Sequence, residues 1–323
     1  MENRQKQQNP LVIVAGPTAS GKTAVSVQLS KIIGGEIISA DSMQVYRGMD
    51  IGSAKIRPEE MQGVRHHLID VLEPEEAFDV VRFQQMAKEA ISDIRSRGRI
   101  PILAGGTGFY IQAVLYDIDF TETAADYTYR KELAEIADRE GAETLHRMLA
   151  QCDPASAQAI HANNVKRVIR ALEFYHETGK RISEHNAEQK SKKSPYTFCY
   201  FVLDRDRGAL YRRIDSRVDQ MLADGLLAEV RALRDRGLTA DMVSMQGLGY
   251  KEMLAYLNGE STYEEAVSIL KRDTRHFAKR QLTWFHHTAD VIRMEPERYG
   301  DDCEKLALAM AEICRQHGIG SDR

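Results

Sequence analysis

At 323 residues the chain has room for one large domain or two modest ones, and its 43% hydrophobic and 28% charged residues exclude a disordered, collagen-like or disulfide-built protein. The net charge of −4 leans against a nucleic-acid binder, and four cysteines without CxxC spacing argue against structural zinc and suit a reducing cytoplasm, the expected location. The polar residues 1–8 do not read as a signal peptide, and no apolar run is long enough to cross a bilayer.

Residues 11–15 are an apolar run ending at a glycine and predict a strand. A helix follows from about Lys22, with Val25, Leu29 and Ile32 on one face, and Gly34-Gly35 stops it. Residues 36–40 predict a second strand and residues 67–72 a third. Residues 83–97 have helical spacing through Phe83, Met86, Ala87, Ala90, Ile91 and Ile94, closed by Gly98, and residues 100–104 predict another buried strand. After about Asp117 the pattern turns helical, over residues 126–185. There Val165, Val168, Ile169, Leu172 and Tyr175 form an apolar stripe that leaves Lys166, Arg167 and Arg170 largely off it, and Gly179 ends it. The lysine-rich residues 188–194 read as a loop. Strand character returns at 196–203, and helices are expected at 208–236, 247–258, 262–286 and 302–316.

Strands alternating with helices imply an α/β fold, a mostly parallel sheet with helices on both faces. The expected organisation is a P-loop NTPase-like core, residues 1–117 and 196–323, interrupted by a helical insertion domain, residues 118–195. Charge is uneven along the chain: residues 163–217 hold 13 basic against 7 acidic side chains, enough for a local phosphate-binding face on an acidic protein. The alternative is a solvated helix surface.

Gly16-Pro17-Thr18-Ala19-Ser20-Gly21-Lys22-Thr23 matches GxxxxGK[ST] directly between a strand and a helix, the context that gives this pattern its meaning. The glycines let backbone N–H groups wrap phosphate oxygens, Lys22 adds positive charge, and the Thr23 hydroxyl suits Mg²⁺. Asp41 follows the second strand, where ligands bind in open α/β sheets; it reads equally as a metal-binding or basic carboxylate and as a turn residue. Gly105-Gly106-Thr107-Gly108 is a second glycine turn on the same edge, with Thr107 able to donate to a phosphate oxygen; an ordinary strand-to-helix turn explains it as well. Arg213 and Arg217 share a helix face at i, i+4 and suit phosphate, although the residues alone favour a surface helix salt-bridged through Asp206, Asp215 and Asp219. His66 and His67, adjacent on a strand, face opposite ways and make no metal site with Asp70. His286-His287 reads as helix capping or surface.

Together these segments resemble the bacterial-type tRNA dimethylallyltransferase (tRNA isopentenyltransferase) family. The resemblance rests on residues 16–23, on Asp41-Ser42-Met43-Gln44-Val45-Tyr46 running into residues 48–55, on His66-His67-Leu68-Ile69-Asp70, and on residues 105–110, 164–173 and 213–221. It continues through Gly249-Tyr250-Lys251-Glu252 and Lys279-Arg280-Gln281-Leu282-Thr283-Trp284, in family order and over nearly the whole chain. It implies transfer of a dimethylallyl group from dimethylallyl diphosphate to N6 of adenosine-37, beside the anticodon of certain tRNAs, with diphosphate released and no nucleotide hydrolysed. Residues 16–23 would hold the diphosphate, Thr23 would ligate Mg²⁺, and Lys22 and Arg217 would neutralise the leaving group. Asp41 would be the general base and Thr107 would contact the bridging oxygen. Asp41, Ser42, Met43, Gln44 and Thr107 would meet the flipped-out base, and Arg130, Lys166, Arg167, Val168, Ile169 and Arg170 the tRNA. The implied partners are the anticodon stem-loop of tRNA and dimethylallyl diphosphate, with no membrane, and the protein is expected to be a monomer. Position 43, which varies in the family, is Met here, and without the zinc-finger extension of eukaryotic relatives no metal beyond Mg²⁺ is implied.

Two other readings share the P-loop. A small-molecule kinase has the same loop, strand-end aspartate and arginines but leaves the basic helical insertion unexplained. A non-catalytic, nucleotide-switched RNA-binding module predicts nucleotide-dependent affinity and no modified base.

Overall fold

The computed structural model describes residues 9–120 and 127–320. The chain divides into two compact units, Met1–Leu115 with Pro195–Arg323, and Tyr116–Ser194. The polar residues 1–8 and the expected start of the helical region at 126 lie outside the described residues.

In the first unit, β1 (Pro10–Ala15) leads into α1 (Lys22–Ile33), β2 (Gly35–Ala40), the short α2 (Pro58–Met61), β3 (His66–His67), α3 (Val80–Ser96), β4 (Ile100–Gly105) and α4 (Gly108–Leu115). The second unit is built of α5 (Tyr127–Glu140), α6 (Ala142–Cys152), α7 (Pro154–Ala159), α8 (Val165–Thr178) and α9 (Ile182–Ser191). The first unit then resumes with β5 (Thr197–Leu203), α10 (Arg207–Ala223), α11 (Leu226–Asp235), α12 (Tyr250–Leu257), α13 (Tyr263–His286), β6 (Val291–Met294) and α14 (Cys303–Gln316).

The six strands form one sheet in the order β3-β2-β4-β1-β5-β6, and every pairing is parallel. Leu11, Val12, Ile13, Val14 and Ala15 are all fully buried, as a central strand covered on both faces requires. Val25 and Leu29 bury the inner face of α1, each contributing about 1.5–3 kcal/mol. In register, Ala15 lies opposite Gly105, and Gly105 opposite Ala40. The chain therefore leaves β1, β4 and β2 at one level, spacing Gly16, Gly106 and Asp41 along the carboxyl edge at roughly the 4.8 Å interval between strands. Gly105 is required there: a Cβ would sit 2.1 Å from the Ala40 carbonyl oxygen.

The second unit has its own core of Leu133, Leu145, Leu149, Val168, Ala171 and Leu172. Its buried Asp153 accepts the N–H and hydroxyl of Ser156 (3.0 and 2.7 Å) and of Ser183 (3.0 and 2.7 Å), tying the start of α7 to α9. Burial pushes this carboxyl up, but those four bonds outweigh it and hold it below its ordinary pKa.

Several boundaries differ from the sequence reading, each for a local reason. The third strand stops at His67 because Leu68 (φ 62) and Asp70 (φ 54) turn the chain, and Leu72 instead bridges to Tyr46. Residues 208–236 are two helices, broken at Gly225 with φ 104. Residues 188–191 are helical, because α9 runs to Ser191. Ile32 and Tyr175, expected on inward faces, are 37% and 39% exposed. Strand β6 has no counterpart in the sequence reading; four residues are too few to show a period. Among the described residues no helix is long and apolar enough to cross a membrane.

Gly105→Ala is expected to cost about 1–3 kcal/mol, because backbone, not a flexible side chain, blocks the added methyl. A urea midpoint equal to wild type would show that β2 and β4 are not packed as tightly as this.

Candidate functional site

Three loops meet at the carboxyl edge of the sheet. The loop after β1 turns on Gly16 (φ 151), Ala19 (φ 62) and Gly21 (φ 100). A Cβ on Gly16 would meet the Leu203 carbonyl at 2.8 Å, so β5 packs directly beneath the loop. Ala19 holds a left-handed conformation that costs a non-glycine residue roughly 1–2 kcal/mol, and side chains from elsewhere hold it there. Arg213 Nε donates to the Ala19 carbonyl (2.9 Å) and Arg205 Nε to the Ser20 carbonyl (2.9 Å), while buried Arg205 is also paired with Glu297 (2.9 Å) and Asp301 (2.6 Å). With those carbonyls drawn outward, the first N–H groups of α1, which have no intrahelical partner, form the mouth of an anion site.

Lys22 Nζ donates to the Pro17 carbonyl at 2.7 Å. Burial lowers its pKa most, the Arg217 charge lowers it further, and Asp41 opposes both, leaving it at about 7. Burial also lowers Arg217, with Asp41 opposing and Arg213 adding repulsion. Three cations and two carboxylates, Asp41 and, toward Arg217, Glu60, thus share one electrostatic neighbourhood, with positive charge in excess. That arrangement suits a multiply charged anion. Thr23 is exposed in the first turn of α1.

Asp41 accepts the Met43 N–H through Oδ1 (2.8 Å), an Asx turn. The turn reading of Asp41 is therefore correct as geometry and leaves the chemical one intact. Ser39 Oγ donates to Gln44 Oε1 (3.1 Å), and Gln44 Nε2 to the Ala54 carbonyl (3.3 Å). The loop beyond is fixed by one carboxylate: Glu229 accepts the N–H groups of Asp50 (2.9 Å), Ile51 (2.8 Å) and Gly52 (3.1 Å) and the Tyr250 hydroxyl (2.8 Å). Lys55 Nζ adds bonds to the Tyr46 carbonyl (2.7 Å), Asp50 (2.5 Å) and Asp70 (2.6 Å). Met43 lies against Gly247, where a Cβ would come within 2.5 Å of its Cε.

Half-buried Thr107 sits between Gly106 and Gly108, and its N–H donates to the Ala40 carbonyl (3.3 Å), tying it to the end of β2. Either glycine could be larger only if a side chain moved: a Cβ would reach Gln281 Nε2 at 2.3 Å or Trp284 Nε1 at 2.1 Å.

The first unit therefore brings together Gly16, Pro17, Thr18, Ala19, Ser20, Gly21, Lys22, Thr23, Asp41, Ser42, Met43, Gln44, Thr107 and Arg217. The salt-bridged reading of α10 holds for two of its acids but not for its arginines: Asp215 pairs with Arg275 (2.5 Å) and Asp219 with Lys271 (2.5 Å), Asp206 caps the helix at Ala209 N (2.8 Å), and Arg213 turns to the Ala19 carbonyl instead. In the second unit, Lys166, Arg167 and Arg170 are exposed on α8. Val168 and Ile169, expected to meet tRNA with them, bury their side chains in that unit's core, so the cations alone face solvent. Half-exposed Arg130 is held by two bonds to buried Glu173 (2.7 and 2.8 Å). His67 Nε2 meets Glu36 at 2.8 Å, and His287 caps α13, its Nδ1 at 2.7 Å from the Thr283 carbonyl.

Sequence reasoning gave no role to Gln281, Glu229 or Tyr250. The signal for Gln281 was present: it shares the inward stripe of α13 with Ala278 and Phe285, where a glutamine needs polar partners.

The sequence pattern of the family described as IPP transferase matches residues 44–288. The chain is 61% identical over 297 residues to a tRNA dimethylallyltransferase of Lachnoclostridium phytofermentans, covering 92% of this chain and 95% of the relative. It is 50% identical over 305 residues to one of Geobacillus thermodenitrificans, covering 94% and 95%. Its fold is similar to the crystal structure of the full-length tRNA isopentenylpyrophosphate transferase of Bacillus halodurans, with TM-score 0.73, 46% identity and coverage of 96% and 97%. It is also similar to a eukaryotic dimethylallyltransferase acting on tRNA, with TM-score 0.80, 28% identity and coverage of 97% and 81%.

The depressed Lys22 makes anion binding pH-dependent. A diphosphate raises the lysine above about 7, so binding takes up a proton at higher pH and affinity falls as pH rises. Calorimetry of an alkyl diphosphate at about pH 8.5, in buffers of different ionisation enthalpy, is expected to show uptake of about one proton, lost in Lys22→Met. Buffer-independent heats for the unaltered protein would mean that Lys22 is already charged.

Proposed function

The chain belongs to the IPP transferase family, and from that premise we propose that it transfers a dimethylallyl group from dimethylallyl diphosphate to N6 of adenosine-37 in certain tRNAs. The observation that carries this reading is the meeting of a cationic phosphate loop with the strand-end carboxylate Asp41 and Thr107 on one sheet edge. In chemical terms, an N6–C1 bond forms as the C1–O bond breaks, its electron pair leaves with diphosphate, and the N6 proton passes to Asp41.

Each residue answers one difficulty of that step. The adenine amine is a weak nucleophile, its lone pair delocalised into the ring, and Asp41 removes its proton as attack proceeds. Charge grows on the leaving diphosphate, where Lys22 and Arg217 neutralise it, and the Thr107 hydroxyl donates to the bridging oxygen. The donors available at the mouth of α1, the Thr23 hydroxyl with a carboxylate nearby, are hard oxygens that suit Mg²⁺. Bound there through Thr23, Mg²⁺ would supply further neutralisation of diphosphate charge. The first unit acts as the catalytic core and the second as a tRNA-holding unit, with Lys166, Arg167 and Arg170 meeting phosphates. Adenosine-37 leaves its stack to reach Asp41 through Gln44 and Thr107. The protein works as a monomer in the cytoplasm.

Incubation with unmodified tRNA, dimethylallyl diphosphate and Mg²⁺, then digestion and mass spectrometry, is expected to show adenosine-37 gaining C5H8. An unmodified adenosine in a folded sample refutes the reading. Asp41→Ala should slow turnover by about 10²–10⁴-fold with tRNA affinity nearly intact; wild-type turnover would remove Asp41 from the mechanism. Alanine at Lys166, Arg167 and Arg170 together should weaken tRNA binding and lower the slope of log affinity against log salt by roughly 2–3. An unchanged slope would place the tRNA elsewhere.

A further inference from the structure

Gln281 joins the two loops that the proposed chemistry uses. Its Oε1 accepts the Thr18 N–H at 2.9 Å, and its Nε2 donates to the Gly106 carbonyl at 2.9 Å. The side chain is buried. Thr18 lies within the phosphate loop, and Gly106 immediately precedes Thr107. One planar carboxamide therefore spans from the leaving-group cradle to the residue beside the bridging-oxygen donor. The fit is close on both sides, since a Cβ on Gly106 would fall 2.3 Å from Nε2 and 3.4 Å from the Gly16 carbonyl.

The chemistry of the bridge is directional. One end meets an N–H and must accept; the other meets a carbonyl and must donate. Glutamate accepts at Thr18 but turns a second oxygen toward the Gly106 carbonyl, and methionine fills similar space with neither function. The residue is also firmly carried. Helix α13 starts at a Thr262–Glu265 capping box, and its Ala278, one turn before Gln281, packs with Leu210 and Ile214 of α10. Arg213 on α10 holds the Ala19 carbonyl, so the two packed helices grip the same loop at adjacent residues.

Resting on the transferase reading, we infer that Gln281 is a positioning residue that sets the distance between the phosphate loop and Thr107. It keeps the Thr107 hydroxyl on the bridging oxygen once the diphosphate is seated. It touches neither substrate. It acts where misplacement by about 1 Å costs on the order of 10²-fold in rate.

The test is a double-mutant cycle on kcat, run with the full chain on tRNA. Gln281→Met and Gln281→Glu are each expected to lower kcat by about 10–100-fold, with the KM for dimethylallyl diphosphate changed less than about threefold. In a Thr107→Val background the same substitutions should cost almost nothing further, because the group they position is gone. Losses that multiply with that of Thr107→Val, or a wild-type kcat in both Gln281 variants, overturn the proposal. Circular dichroism checks folding; the glutamate variant serves if the methionine one does not fold, and a collapse of both overturns positioning in favour of a purely structural bond. Wild-type protein run alongside separates the two claims. Wild type that leaves tRNA unmodified refutes the transferase reading and this inference with it, whereas active wild type with multiplying losses refutes only the inference.

Discussion

Where any other residue would carry its Cβ, Gly105 has the carbonyl oxygen of Ala40. That close approach keeps β2 and β4 level at their carboxyl ends, and with β1 beside β4 it decides where three loops begin. The phosphate loop, the Asp41 turn and the Thr107 turn have few bonds to one another; what they share is the row of strand ends. Gly106 and Gly108 extend the same economy of space upward, admitting Gln281 and Trp284 against the backbone.

On that edge the electrostatics are deliberately unbalanced. Lys22, Arg213 and Arg217 gather around a loop that already offers helix N–H groups; Asp41 offsets Lys22 and Arg217, and Glu60 adds to it at Arg217. Burial and mutual repulsion make Lys22 and Arg217 costly in the free protein, a cost that a multiply charged anion would remove. The ground state is strained in the sense that matters for binding: charge is assembled before the ligand that neutralises it.

Much of this was legible in the residues. The GxxxxGK[ST] pattern after an apolar run gives loop, strand and helix at once, because both the phosphate and the backbone impose that spacing. Asp41 and Gly106-Thr107 follow from reading strand ends. Other features needed three dimensions. Arg213 and Arg217 sit among acids in sequence, yet those acids face α13, leaving the arginines to the phosphate loop. Val168 and Ile169 lie between cations in sequence but point into the second unit's core, as the period of a helix requires. The acceptor role of Glu229 toward residues 50–52 spans nearly 180 positions and has no local pattern to betray it.

The pairing of β1 with β5 carries a consequence for biosynthesis. Pro10 finds its register partner at Thr197, and Asn9 bonds to Pro195 across 186 positions. During translation β1 can pair with β4 soon after residue 105, but its other edge stays open while the whole second unit is made. Closing that gap has a high contact order and belongs to the slow part of folding. Arg205 and Arg213 arrive only after β5, so a nascent chain carries its glycine loop for some 190 residues before the guanidinium braces reach it. The bracing of the glycine loop is thus a late acquisition of the growing chain, made long after the motif itself has been written.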